Sequence, residues 1–369
     1  MKRWSVGFVL LLLVGVGDAT AALWKVSQLT DNSHDDQDPQ IYGSHVVWQY
    51  DDGTDWEIFL YDGTTTARLT DNAYDDQNPQ ISGSNVVWTG YDGHDYEIFF
   101  YNGTTTTQLT DNTYDDLGPQ ISGSNVIWYG GEANAQEIFF YNGSTTTQLT
   151  HNSYDDYQPQ IHGSSAVWTC SDGSAQEIFL YDGTTTTQLT NAGPTGYAQS
   201  EPEIYGSNVV WKGGPEIFLY DGTTTTQLTN FGSGLGAYQP QICGSNVVWT
   251  GHDGSDYEIF LYDGTTITQL TSNSDYDQDP QIYGCSVVWI GRGSDEEVFF
   301  HDGTTTTQLT NNSYADYGAR LYGSNVVWYG YDGNDYEIFQ ATIIPEPSTL
   351  TLLTMGALAL LAGWWRRRR

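Results

Sequence analysis

The 369-residue chain carries 46 acidic and 11 basic residues, a formal charge of -35, and a mean hydropathy of -0.44. Lys2, Arg3 and the terminal arginine block are six of the eleven bases, so residues 23–344 hold 44 acids against 5 bases. Such a surface repels nucleic acid and anionic membrane and favours cations or basic partners, and it also serves solubility outside a cell.

The chain opens with Met1-Lys-Arg, an apolar run from Trp4 to Gly17, and the small-x-small triplet Ala19-Thr-Ala21. This order predicts a secretory signal peptide over residues 1–22, cut by signal peptidase after Ala21. Residues 23–344 are repetitive. A tryptophan recurs at 48, 88, 128, 168, 211, 249, 289 and 328, with spacings of 40, 40, 40, 43, 38, 40 and 39 residues. A strand-like repeat of about 40 residues is the signature of a β-propeller blade.

The second unit shows the expected strands. Gln80-Ile81 is a short first strand, Gly83-Ser-Asn85 a turn, and Val86-Val-Trp88 the second strand. The loop Tyr91-Asp-Gly-His-Asp95 leads to a third strand, Glu97 to Tyr101. Asn102-Gly103 is a hairpin turn, and Thr104 to Thr110 is a β-branched fourth strand. The second and third strands are apolar at consecutive positions, as in sheets covered on both faces, and radially stacked blades supply that cover. The tryptophan is therefore read as packing.

The third strand occurs eight times, but the closing Gln-Leu-Thr follows only the first seven. The missing copy is Val26-Ser-Gln-Leu-Thr30 near the start. The expected fold is all-β: an eight-bladed propeller of four-stranded antiparallel blades whose last blade is closed by the N-terminal strand.

The repeat resembles the TolB-type propeller unit at Pro79, Gly83-Ser-Asn85, Trp88, Asp92-Gly93, Glu97-Ile98 and Leu109-Thr110. The resemblance covers residues 24–344, departs from that unit in the first turn, and lacks the α/β domain that precedes the propeller in TolB. It supports the fold more than a shared role. The tail over residues 345–369 begins Pro345-Glu346-Pro347, continues through an apolar run from Leu350 to Trp365, and ends in four arginines. It resembles the PEP-CTERM sorting signal of Gram-negative bacteria that make exopolysaccharide. That resemblance implies processing near Pro345-Glu346-Pro347 by an exosortase and release to the cell surface or matrix. The alternative is a plain membrane anchor.

Alternation of strand direction places the inter-blade loops and second-to-third loops on one face. That face should be rich in carboxylates, including Asp35, Asp36, Asp75, Asp76, Asp115, Asp116, Asp155, Asp156, Asp275, Asp277 and Asp279. Oxygen-rich loops suit calcium, although Asp-rich segments are also ordinary turn formers. The glutamate opening each third strand recurs eight times and is expected to accept hydrogen bonds within its blade. The seven histidines share no repeat position, and no nucleophile elbow, zinc-protease helix or phosphate loop occurs. Cys170, Cys243 and Cys285 form no disulfide framework, while a bridge between the last two stays open.

Symmetry breaking falls in the lengthened segment Asn191 to Ser200, the uncharged loop Asn230 to Tyr238, and the shortened loop Trp211-Lys-Gly-Gly-Pro215. Tyr197 and Tyr238 are candidate partner contacts there. The expected role is a non-catalytic binding or scaffold protein for a polysaccharide or protein ligand. The alternative is a hydrolase or lyase using paired carboxylates.

Overall fold

The structure is a computed structural model that describes residues 23–344 apart from 132–134, 172, 174, 194, 195 and 232–234. The signal peptide, the cleavage residue Ala21, and the tail with Pro345, Glu346 and Pro347 lie outside the described residues. Among the described residues no helix is long and apolar enough to cross a membrane. Residues 28–340 form one compact unit, and the ring contacts described below lie within it.

There are eight four-stranded sheets. In blade two the strands are Asp76–Ser82, Asn85–Tyr91, Tyr96–Tyr101 and Thr106–Gln108, paired antiparallel in order. The first strand is longer than the two residues expected. It starts at the aspartate assigned to the loop and carries a bulge between Gln77 and Gln80. The first turn is Gly83-Ser84 alone, with Gly83 at φ 68°. Glycine at the first central position matches a type II′ hairpin, and Asn85 already belongs to the next strand. The fourth strand shrinks from the expected seven residues to three, because Leu109 and Thr110 turn in to bond the third strand: Leu109 N–H reaches the Ile98 carbonyl at 2.7 Å and Ile98 N–H reaches Thr110 Oγ1 at 2.9 Å.

Each of the eight repeat tryptophans is at most 2% exposed and stacks on the phenylalanine opposite it, as Trp88 does on Phe99 at 5.9 Å. The core runs between blades: Val47, Ile58 and Leu60 of blade one pack against Ile81, Val86 and Trp88 of blade two. A second stitch follows the ring. Asn85 Nδ2 donates to the Gly123 carbonyl at 2.8 Å, and Asn125 does the same to Gly163.

The seam repeats these bonds. Asn325 Nδ2 donates to the Gly43 carbonyl at 3.0 Å, and Ile41, Val46 and Trp48 pack against Val327 and Ile338. Leu29 N–H donates to the Ile338 carbonyl at 2.7 Å, and Ile338 N–H donates to Thr30 Oγ1 at 2.8 Å. The last sheet runs Leu23–Gln28, Tyr336–Ile344, Asn325–Tyr331, Asp316–Tyr322. The N-terminal segment thus supplies its outer strand, as the missing repeat predicted. No bridge joins Cys243 and Cys285: Cys243 Sγ accepts the Gly284 N–H at 3.1 Å, and both thiols are free.

Candidate functional site

Most of the carboxylates do structural work. The eight glutamates that open the third strands each accept a backbone N–H from the loop beyond the fourth strand, as Glu97 does from Asn112 at 2.8 Å and Glu337 from Asn32 at 2.7 Å. In six blades an aspartate at the head of the first strand is buried under the tryptophan; Gln199 stands there in blade five and Ala237 in blade six. Asp76 Oδ1 accepts the Trp88 indole N–H at 2.7 Å, and its Oδ2 accepts Asn72 Nδ2 at 2.6 Å. Asp36, Asp116, Asp156 and Asp277 sit in the same two-bond cradle. Burial pushes these carboxyls up, Asp36 to about 8, Asp76 to about 6, and Asp116 and Asp277 to about 7, while the indole and amide donors pull the other way.

Asp35, Asp75, Asp115 and Asp155 each accept the N–H that enters the preceding blade's third strand: Tyr336, Trp56, Tyr96 and Gln136. Of the eleven aspartates singled out for calcium, nine are therefore engaged in these two patterns and are not gathered around one point. Asp275 lies in its loop beside Gly293, and Asp279 belongs to the ring centre. The expected division of faces holds. His34 packs on Gly53 and Tyr74 on Gly93 at the loop end, while Ser44 packs on Gly63 and Ser84 on Gly103 at the tight-turn end.

The departures from symmetry that matter most lie along the inner strands. One residue per blade takes a left-handed conformation at the bulge: Asp38, Asn78, Gly118, Gln158, Glu201, Gln239, Asp279 and Gly318, with φ of 52–61°. Residues rarely adopt this unless the surroundings impose it, and here it follows the bulge that interrupts each inner strand's register. Two residues further on, six blades present glutamine, but blade five presents Glu203 and blade eight presents Arg320.

These inner strands line a pocket of about 460 Å³, with Glu203, Gln241, Asp279, Gln281 and Arg320 on its walls and Tyr317 and Tyr329 at its side. Burial raises the Glu203 carboxyl to about 8, opposed by the Gln241 amide at 3.2 Å and the Arg320 charge. Burial lowers Arg320, while Asp38, Asp279 and Glu203 support its charge. An amide chain crosses the blades: Gln239 N–H donates to Glu201 Oε2 at 2.7 Å, and the Gln239 side chain bonds both the carboxylate and the backbone N–H of Asp279.

At the tight-turn end, the last residues of the inner strands form an aromatic collar. Tyr322 lies 4.5 Å, ring to ring, from both Tyr42 and Tyr283, and His162 lies 4.3 Å from Tyr205. Where the collar residue is small, its side chain instead accepts the next turn's N–H, as Ser82 does from Gly123 at 2.8 Å. The channel therefore pairs hydrogen-bonding walls with an aromatic rim, an arrangement able to hold an uncharged polyol by its hydroxyls and its ring faces.

The candidates Tyr197 and Tyr238 flank one loop. Tyr197 is 69% exposed and packs on Gly214, while Tyr238 lies under Lys212 Nζ at 4.3 Å. Lys212 also reaches Glu201 at 3.7 Å, which links this loop to the channel wall. Reading the repeats for strands missed Glu203, Arg320 and the collar. The signal was present: Pro202-Glu203-Ile204 and Ala319-Arg320-Leu321 replace the recurrent Pro-Gln-Ile.

No family model matches the chain, and no curated protein matches it. Solved propellers do. The β-propeller domain of the trilobed protease from Pyrococcus furiosus is 13% identical with a TM-score of 0.54, over 76% of this chain and 97% of that one. Dipeptidyl peptidase 4 of Porphyromonas gingivalis is 13% identical with a TM-score of 0.59, over 80% of this chain but only 56% of the peptidase. An oligogalacturonate lyase in complex with manganese is 13% identical with a TM-score of 0.51, over 93% of this chain and 99% of the lyase. The chain spans little more than half of the whole peptidases it matches. At such identities the likeness bears on architecture alone, and with the eight sheets it makes this chain an eight-bladed β-propeller.

Proposed function

We propose that this propeller is an exported, non-catalytic binding or scaffold protein of the cell surface or polysaccharide matrix of a Gram-negative bacterium. The sorting tail that resembles PEP-CTERM supports exosortase processing and a place at the cell surface. Its central channel holds an uncharged saccharide. The carrying observation is that the inner strands depart from their own repeat at Glu203 and Arg320, which line one pocket, and that the same strands end in the tyrosine collar. The acidic surface disfavours a polyanionic glycan. Tyr197 and Tyr238 offer a further contact surface for a protein or glycan partner.

The test is calorimetry with a panel of uncharged hexasaccharides. Tyr322→Ala is expected to weaken binding about tenfold, equivalent to about 1.4 kcal/mol. A panel with no binder, or equal binding by the variant, refutes the reading.

A second reading is favoured by Glu203. A carboxyl raised to about 8 is protonated at neutral pH, and it shares a pocket with Asp279 and Arg320, as a glycan-cleaving acid would share one with its partner groups. Under that reading Glu203→Gln abolishes turnover of a bound glycan. Under the binding reading there is no turnover to lose.

A further inference from the structure

The inner strand of blade eight departs from the repeat at consecutive positions. Where the other seven blades have proline followed by glutamine or Glu203, it has Ala319 and Arg320. Its bulge residue is Gly318, and the Tyr329 ring stands over it: a side chain built there would meet Tyr329 Cε1 at 2.6 Å. Blade three has the same pair, with Gly118 under Tyr129 at 2.7 Å, but keeps Gln120 at the level of the arginine. Both glycines take the same left-handed conformation, φ 59° and 61°. The tyrosine therefore needs no arginine to hold it in the wall.

The Arg320 guanidinium is set into the channel wall with most of its donors unused. Nη1 donates to the Ala319 carbonyl at 3.0 Å. Among the described residues it forms no ion pair, and its Nε–Nη2 edge meets no acceptor. Donors held away from bulk water are costly to leave unmade. The surroundings argue against an anion as the missing partner. Asp38 and Asp279 already support this charge, and Glu201 lines the same pocket. A further anion would meet those carboxylates as well as the guanidinium. A neutral carbonyl oxygen suits the edge better, because its lone pairs lie in one plane and accept N–H groups without adding charge. Gln281 holds the same level in the adjoining blade, and its side-chain amide has no partner among the described residues.

We propose that the channel ligand is an N-acetylated, uncharged saccharide whose acetamido carbonyl accepts the Nε–Nη2 edge of Arg320. The acetamido N–H is then left for the Gln281 amide oxygen, and the methyl for the Tyr329 ring beside it. A plain hexose offers only hydroxyls, each of which must also place a hydrogen of its own. Arg320 is thus a specificity-determining residue. This rests on the reading of the channel as a saccharide site and adds what selects among saccharides there.

Calorimetry on the full chain with two hexasaccharides tests this: the N-acetylglucosamine hexamer of chitin and the glucose hexamer of cellulose, which share a backbone and differ in the acetamido groups. The parent should bind the acetylated hexamer about tenfold more tightly. Arg320→Gln restores the residue that blade three carries beside the same glycine and tyrosine, so the wall should stay folded, and it should bind the two alike. Tyr329→Thr, which installs the residue of blade two, should weaken the acetylated hexamer more than the plain one. A hexapeptide of glycine and serine, which offers amide carbonyls without a sugar ring, should not bind. Equal binding of the two hexamers by the parent, or a preference that survives Arg320→Gln, overturns the proposal and leaves the saccharide reading standing. Binding of neither hexamer overturns both, as does a peptide held as tightly as the acetylated hexamer.

Discussion

A tryptophan indole buried in a sheet stack needs an acceptor for its N–H, and in six of the eight blades the acceptor is a carboxylate that is itself buried. The two groups satisfy each other, but the carboxylate bears the desolvation. This has a consequence for pH. Asp36, Asp76, Asp116, Asp277 and Asp316 have folded values of about 6–8, above their ordinary value of 3.8. Groups raised on folding contribute stability that is complete below the unfolded value and lost as pH rises through the folded one. The melting temperature should therefore rise as pH falls from 8.5 to 5. Below about pH 4 the trend should reverse, because the unfolded chain then takes up protons at Asp62, Asp182, Asp221 and Asp263, which threonine hydroxyls and turn N–H groups hold ionised in the folded ring. A melting temperature that falls steadily from pH 8.5 to 5 would contradict the buried-carboxylate account. Trp88→Ala should cost about 3–5 kcal/mol by chemical denaturation, since both the stack on Phe99 and the core contact with blade one are lost.

At the scale of a strand or loop, the sequence was readable where a repeat position does one job in every blade. The eightfold glutamate, the buried tryptophan and the borrowed outer strand follow from that, because packing and backbone satisfaction impose the same demand eight times. Strand ends were less readable. Asp76 looks like a loop residue by composition, yet the indole above it draws it into the first strand. The threonine run looks like a full strand, yet only Thr106–Gln108 pair, since Thr110 is needed by Ile98. The channel was hidden for a different reason. Its character lies in single departures such as Glu203 and Arg320, which carry no periodic signal and meet only when the ring brings distant blades together. Removing the outer strand of the last blade, by deleting residues 24–30, should expose the seam and favour aggregation, visible as a loss of monomer by light scattering. A deletion as stable and monomeric as the parent would show that the seam needs no such cover.

Across the whole molecule, 44 acids against 5 bases over residues 23–344 place the folded ring under self-repulsion. Salt screens such repulsion over about 10 Å at 0.1 M. Raising sodium chloride from low concentration to that level should therefore increase the melting temperature, and the Arg68→Gln protein should gain more than the parent, because it loses a guanidinium that bridges three acids. Equal or opposite responses would place the strain elsewhere.

The joint between first and last blades also sets a timetable. Thr30 waits for Ile338, a partner 308 positions later in the chain. During synthesis the earlier sheets can settle one after another as they emerge, but the circle cannot shut until nearly the last described residue has appeared. Until then each nascent molecule offers an unmatched end to any neighbour in the same condition. Two unfinished chains could complete each other instead of themselves, so conditions that slow elongation should raise the yield of interlocked dimers.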